Sequence, residues 1–384
     1  MKILLVATDS HMGGITTAAT NFLNELYKRG HDVTFLDMSG ENRNASSLLE
    51  GVKICELSGR ARYWNIGSGD IKRAKGIKRI GLILLGAIKK ITNRIGIWHN
   101  LILNKQKHLP EYDVVVAYRQ CAPCYKFALK CVKAKTRLCF VHGELSYMGD
   151  ISSWQKYMDK FYKVCYVSNA VKNQFVDRYP NLSNNATVIY NVIDNERVKT
   201  LSLEETDCCF EKDVLNLITI SRIKNGSKGT ERILEIAKEL YNKGVKFCWR
   251  IVGDGPDLKE CKKKIVENNL TENVVFLDEK ANPFCYLSKS DALVSISKSE
   301  AFGMTILESL ICGVPVIVGE YPALRELVSD KENAIISRNS AEELCKAIFE
   351  FATNKELRRK ITEGSQNYSY CKENLMQRFE ALVM

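Results

Sequence analysis

Ala292-Leu-Val-Ser-Ile296, then Glu300-Ala-Phe-Gly-Met-Thr-Ile-Leu-Glu308, then Gly313-Val-Pro-Val316 reads as strand, loop, helix and next strand. The first run is apolar without alternation, as in a parallel sheet covered by helices on both faces. Gly303 and Thr305 fall where the helix should begin. The unpaired N–H groups of a helix N-terminus can hold phosphate. Glu300 and Glu308 stand eight positions apart around that start. One carboxylate can accept hydrogen bonds from sugar hydroxyls and the other from a ribose. The plain alternative is an ordinary strand–loop–helix whose acids sit where the macrodipole favours them.

The same alternation extends in both directions. Strands are expected at Ile3–Ala7, Val33–Leu36, Val52–Leu57, Val114–Tyr118, Leu138–His142, Val164–Ser168 and Val188–Asn191. A second series follows at Leu215–Ser221, Phe247–Val252, Val274–Leu277, Ala292–Ile296, Pro315–Val318 and Ala334–Ile336. Helical patterns intervene, among them Ile15–Arg29 closed by Gly30, Gly229–Asn242 and Thr305–Cys312. Repeated βα units predict an α/β protein with a doubly wound parallel sheet in each half. A chain of 384 residues is long for one core, so two domains are expected. They should meet near Asn191-Val-Ile-Asp194, giving domains at 1–190 and 191–366, with a helix over 367–384 returning to the first. A ligand should lie in the cleft between them, outside the carboxyl ends of the strands.

Composition is that of a globular protein, 45% hydrophobic and 26% charged. The apolar start Ile3-Leu-Leu-Val6 is short and runs into Asp9, a buried strand and not a signal peptide. The longest apolar stretch, Ile80 to Ile88, falls well below the roughly 20 residues of a membrane span. Fourteen cysteines without a signal peptide point to reduced thiols and a cytoplasmic setting. Cys121-Ala-Pro-Cys124 has redox-motif spacing. With no second Cys-x-x-Cys and no His at ligand spacing, it reads as packing at a helix start.

Several strand ends carry polar chemistry. Gly13-Gly14 follows the first strand, where a backbone can approach a phosphate; the alternative is a tight turn needing positive φ. His142 ends a strand at the expected cleft edge. Arg222 ends another, and Lys228-Gly229 opens the helix after it. Two cations there could neutralise a diphosphate leaving group, a strong catalytic effect. Their alternative is solvated loop charge. Gly253-Asp-Gly-Pro256 is a strand-end turn, mainly structural.

Taken in order, Gly13-Gly14, His142, Val188-Ile-Tyr-Asn191, Arg222, Lys228-Gly229, Gly253-Asp-Gly-Pro256 and Glu300-(x)7-Glu308 resemble the retaining glycosyltransferases of family 4, with the GT-B fold of two Rossmann-like domains facing across a cleft. The resemblance covers almost the whole chain and is strongest from Leu215 to Gly319. It implies that Arg222 and Lys228 hold the donor diphosphate, Glu300 the hydroxyls of the transferred sugar and Glu308 the ribose. It also implies that Phe302 and the amides of Gly303, Met304 and Thr305 face the donor, that His142 lines the sugar pocket, and that Gly13 and Gly14 bind the donor from the opposite wall of the cleft. Neither metal nor cofactor is implied, in line with the lack of an Asp-x-Asp motif. The sequence departs from the family at Asn-Val-Ile-Asp194, at Val-Phe-Leu-Asp278 and at Ser295-Ile-Ser297, which lacks a common Pro. These departures bear on base selectivity.

Charge is uneven. Residues 1–195 hold 28 Lys and Arg against 15 Asp and Glu, and the segment 60–107 alone holds 12 basic residues against one acid, Asp70. Ile71, Ala74, Ile77, Leu84, Ile88, Ile91, Ile95, Trp98 and Ile102 recur three, four or seven apart, with Lys72, Arg73, Lys75, Lys78, Arg79, Lys89, Lys90 and Arg94 between them. That is the pattern of a basic amphipathic helix or helix pair for an anionic membrane surface. The alternative is an excursion packed on the first domain with a solvated basic face. Nucleic acid is not expected, since no binding module accompanies the charge. The expectation is a metal-independent retaining hexosyltransferase, peripheral at the inner face of the cell membrane. It would move sugar from a UDP-sugar, or next a GDP-sugar, to a glycan or polyprenyl-linked acceptor in capsule, lipopolysaccharide or other surface-polysaccharide assembly. The rivals are another GT-B enzyme, such as a sugar-nucleotide epimerase, and a non-catalytic GT-B-like binding subunit.

Overall fold

The computed structural model describes residues 1–8, 13–39, 45–64, 71, 74–94, 97–103, 106 and 108–384. Residues 9–12 of the glycine turn, and Lys72, Arg73 and Ile95 of the basic segment, lie outside them. The chain divides into two compact units. One comprises Met1–Val167, Val171–Val192 and Leu375–Met384; the other comprises Ser168–Ala170 and Ile193–Asn374.

The first unit is built on seven parallel strands, β1 (Lys2–Ala7), β2 (Asp32–Asp37), β3 (Lys53–Cys55), β4 (Tyr112–Ala117), β5 (Ala134–Val141), β6 (Lys163–Tyr166) and β7 (Ala186–Val188). Their order is β3-β2-β1-β4-β5-β6-β7. The register runs Leu4 against Thr34 on one side of β1 and against Val115 on the other. The middle strands are buried along most of their length, which is why they read as unbroken apolar runs. β7 forms two residues before its expected place. Ile189 and Val192 continue its apolar run and are buried, but as irregular chain. The C-terminal helix Lys372–Val383 contributes to this unit. Its Phe379 meets Phe22 edge-on at 4.9 Å, and Glu380 pairs with Arg29 at 2.8 Å and His31 at 2.9 Å.

The second unit holds six parallel strands, β8 (Leu215–Ile220), β9 (Phe247–Val252), β10 (Val274–Asp278), β11 (Ala292–Ser295), β12 (Val316–Gly319) and β13 (Ala334–Ser337), ordered β10-β9-β8-β11-β12-β13. The core lies between this sheet and flanking helices, with Trp249, Ile236, Leu344 and Phe351 fully enclosed. Two buried polar side chains, Trp249 and Thr219, are satisfied within it. Trp249 Nε1 donates to Thr219 Oγ1 at 3.0 Å, and that hydroxyl donates to the Val294 carbonyl at 2.6 Å, tying β9, β8 and β11 together.

Both sheets thus show two parallel Rossmann-like windings. In each, strand order reverses beside the first strand of the unit, between β1 and β4 and between β8 and β11. Such switch points open a crevice at the carboxyl ends of the strands, where ligands bind.

Candidate active site

At the β8–β11 switch point the chain leaves β8 through Ser221 and Arg222. This turn packs backbone to backbone on the one after β9. The Ile223 amide donates to the Asp254 carbonyl at 2.9 Å. A Cβ on Gly253 would stand 1.9 Å from the Ser221 oxygen, and one on Gly255 2.0 Å from the Ile223 oxygen. The glycines of Gly253-Asp-Gly-Pro256 are therefore required by packing. Asp278 ends β10 at φ 57, a left-handed conformation that Asp tolerates.

Arg222 itself is exposed. The hydroxyl of Ser221 beside it is a buried oxygen with no hydrogen-bond partner.

Lys228 closes the 3-10 turn Gly226–Lys228, and Gly229 follows at φ 67. There a Cβ would lie 2.2 Å from the Ile296 carbonyl. The turn is thereby pressed against the exit of β11, where the Lys298 amide donates to the Ser227 carbonyl at 2.8 Å. This brings Lys228 Nζ to 2.6 Å from Glu300 Oε1, which also accepts from Ser297 Oγ at 2.8 Å. Two candidate residues 72 positions apart thus form one partly exposed ion pair.

Beyond Glu300 the chain enters the helix Met304–Ile311. Gly303 precedes it at φ 103, and a Cβ there would meet the Tyr321 hydroxyl at 2.4 Å. The Gly303 carbonyl accepts from Ile306 N at 3.1 Å. Met304 and Thr305 occupy the first turn, whose amides helix geometry leaves without an intrahelical acceptor. Phe302 is buried, its side chain packed in the core, and Tyr321 Oη donates to its carbonyl at 3.4 Å.

Glu308 is 8% exposed. Burial pushes its pKa up to about 7, and Arg197 pulls the other way. Arg197 was not a sequence candidate. It is carried by the helix Asn195–Ser202, capped by Asp194, whose Oδ1 accepts from Arg197 N at 3.1 Å. The capping pattern was readable; the approach to Glu308 was not. Asn339 was also missed. Its side-chain amide donates to the carbonyls of Ser297, Lys298 and Glu320, while its oxygen accepts from Arg232, so it fixes the loop that carries Glu300.

In the first unit, Gly13 stands at φ 171, extended backbone, and a Cβ there would meet nothing within 4 Å. A positive-φ turn is therefore not what Gly13 serves. Gly14 opens the helix Gly14–Lys28. His142, at the end of β5, is buried, with its ring stacked on Phe140 at 5.7 Å and 4.5 Å from the Tyr118 ring. Burial pushes its pKa down to about 3, with the Tyr118 backbone and Asn191 opposing, so it is neutral at physiological pH. Cys121 precedes the helix Ala122–Lys130 as its N-cap residue. The hydrogen bond with Cys124 lowers the Cys121 pKa, while burial raises that of Cys124. Among the described residues no cluster of His, Cys, Asp and Glu could hold a metal, and no helix is long and apolar enough to cross a membrane.

Two parallel Rossmann-like units, each with its own switch point, define the GT-B class. Solved structures share this fold across the chain. A Staphylococcus aureus TarM variant crystallised with fondaparinux, alpha-GlcNAc-glycerol and UDP matches with a TM-score of 0.73 at 13% identity, covering 100% of both chains. Anabaena HepE, crystallised with UDP and glucose, matches with a TM-score of 0.70 at 16% identity, covering 99% of this chain and 98% of that one.

The family model described as Glycosyltransferase Family 4 matches residues 12–197, and that of Glycosyl transferases group 1 matches 210–368. The chain belongs to this family of GT-B glycosyltransferases. An uncharacterized glycosyltransferase of Methanocaldococcus jannaschii is 30% identical over 212 residues, 54% of each chain. The alpha-monoglucosyldiacylglycerol synthase of Streptococcus pneumoniae is 34% identical over 123 residues, 32% of this chain and 27% of that one. The chain thus spans about half the length of the M. jannaschii relative and less of the synthase.

Proposed function

We propose that the protein transfers a hexose from a nucleotide diphosphate sugar, a UDP-sugar ahead of a GDP-sugar, to a hydroxyl of a glycan or lipid-linked acceptor, with retention at the anomeric carbon and without a metal. The observation that carries this reading is the Lys228–Glu300 pair at the carboxyl ends of β8 and β11, beside a helix N-terminus. An ammonium has three donors, so Lys228 can hold Glu300 and a phosphate oxygen together. Arg222 adds a planar fork for the diphosphate. Glu300 accepts from hydroxyls of the transferred sugar and Glu308 from the ribose. The first-turn amides of Met304 and Thr305 face phosphate.

The chemistry needs no protein nucleophile. The acceptor oxygen attacks the anomeric carbon on the face the diphosphate vacates. The carbon–oxygen bond to phosphate breaks, and the acceptor proton passes to the leaving phosphate oxygen. The protein supplies position and positive charge where negative charge develops. TarM and HepE were crystallised with UDP, which supports a nucleotide-sugar donor. One matched relative is an O-antigen biosynthesis glycosyltransferase of Escherichia coli, which supports surface-glycan assembly. The place of action is the cytoplasmic face of the membrane, in keeping with fourteen free thiols.

The test is nucleotide release from a panel of UDP- and GDP-sugars in the presence of EDTA, followed by NMR of the product anomer. Release from one donor with an unchanged anomeric configuration is expected. Binding and turnover of no donor, together with tight binding of a protein partner, would establish a non-catalytic subunit instead.

A further inference from the structure

We infer that the helix Gly76–Arg94 lies in the surface of an anionic bilayer, with Ile77, Ile80, Leu84, Ile88 and Ile91 in the acyl boundary and the flanking cations on the headgroups. This deepens the membrane-surface part of the reading above. Its test uses no sugar donor, so its failure leaves the transferase reading standing.

The argument starts from which face is inside. An amphipathic helix on a globular domain turns its apolar stripe to the core. This helix does the reverse. Leu82 is buried, and Leu85, Gly86 and Lys89 are half-buried on the same face. Gly86 faces Ile71, whose Cδ1 lies 3.4 Å from where a Cβ would stand. The opposite stripe stands in the open, with Ile77 89%, Ile80 61%, Leu84 61%, Ile88 47% and Ile91 65% exposed. The far end is anchored separately. Trp98, buried in the short helix Trp98–Ile102, donates from Nε1 to the Trp64 carbonyl at 2.8 Å. The stripe is therefore a surface held outward by its own inner face and by Trp98. It is not an unpacked piece of core.

Charge chooses the occupant. Lys75, Lys78, Arg79 and Lys90 are exposed around the stripe, and the helix has no acidic residue. A second copy could use the same spacing as a coiled-coil seam. It would then set these cations against their own copies, with no Glu or Asp on the helix to answer them. An anionic lipid surface answers every one, and an apolar stripe edged by cations is what an in-plane interfacial helix requires.

Purified full-length protein is mixed with phosphatidylcholine vesicles, with and without phosphatidylglycerol. Co-sedimentation with the phosphatidylglycerol vesicles, weakened several-fold at high salt, is expected. Ile80→Glu with Leu84→Glu should reduce it by about tenfold or more, and Arg79→Glu with Lys90→Glu should do the same while the circular dichroism spectrum is unchanged. Leu84→Trp places a reporter in the stripe. Quenching by brominated lipid beyond that of the wild type is expected; none would overturn insertion. A wild-type dimer dispersed by Ile80→Glu with Leu84→Glu, with lipid binding intact, would assign the stripe to a second copy and overturn the inference.

Discussion

Lys228 Nζ lies 2.6 Å from Glu300 Oε1. The pair exists because Gly229, at φ 67, lets the Lys228 turn press on the Ile296 carbonyl, and because Ser297 holds the same carboxylate oxygen. The two side chains should act as a unit. Lys228→Met and Glu300→Ala should each cut kcat, and the double variant should lose far less than the product of the two losses. A double-mutant cycle of kcat/KM checks this; additive losses would separate their roles.

Gly229→Ala should destabilise the second unit by about 1–3 kcal/mol, because both the left-handed backbone and the Ile296 carbonyl oppose a Cβ. Urea denaturation reads the loss. A variant as stable as the wild type would show that the turn can relax.

Glu308 has a pH signature with a definite sign. Burial raises its pKa from 4.5 to about 7, so the folded state binds a proton that the unfolded state has released between those values. Stability falls as pH rises through this window and stays low above it. Glu308→Gln should remove the penalty. Its unfolding free energy at pH 8 should exceed that of the wild type by at most about 3 kcal/mol, a gap that vanishes near pH 4. The same variant should bind donor more weakly, because an ionised carboxylate accepts both ribose hydroxyls. Wild-type donor affinity should climb through pH 7 and that of Glu308→Gln should not, as titration calorimetry across pH can read.

Arg222→Ala should lower turnover by roughly 10²–10³-fold, the usual cost of removing a donor aimed at developing charge. Arg222→Lys should recover only part of it, since the ammonium cannot fork two oxygens. Single-turnover kinetics with the preferred donor checks both; wild-type rates in Arg222→Ala would move the diphosphate elsewhere.

The strands were readable because a sheet covered on both faces demands unbroken apolar runs, and Leu4, Val115 and Val294 lie in such runs. That same signal misplaced β7, since Ile189 and Val192 are buried without being strand. Periodicity pointed to a basic amphipathic helix or helix pair within 60–107, where the helix Gly76–Arg94 lies, but could not say which face turns inward. Trp98 and Ile102, assigned to the same apolar stripe as Ile77, are buried instead. At the site, the spacing of Glu300 and Glu308 around a helix start made both visible. The Lys228–Glu300 pair, the approach of Arg197 to Glu308 and the hub at Asn339 join distant segments through backbone packing that no local pattern records.

The most direct measurement compares kcat and donor Kd of Glu300→Gln with those of the wild type, using the donor that the panel selects. The account predicts kcat lower by about 10²–10³-fold with donor affinity little changed, because Glu300 holds the sugar chiefly in the transition state. Wild-type kcat in Glu300→Gln would contradict it.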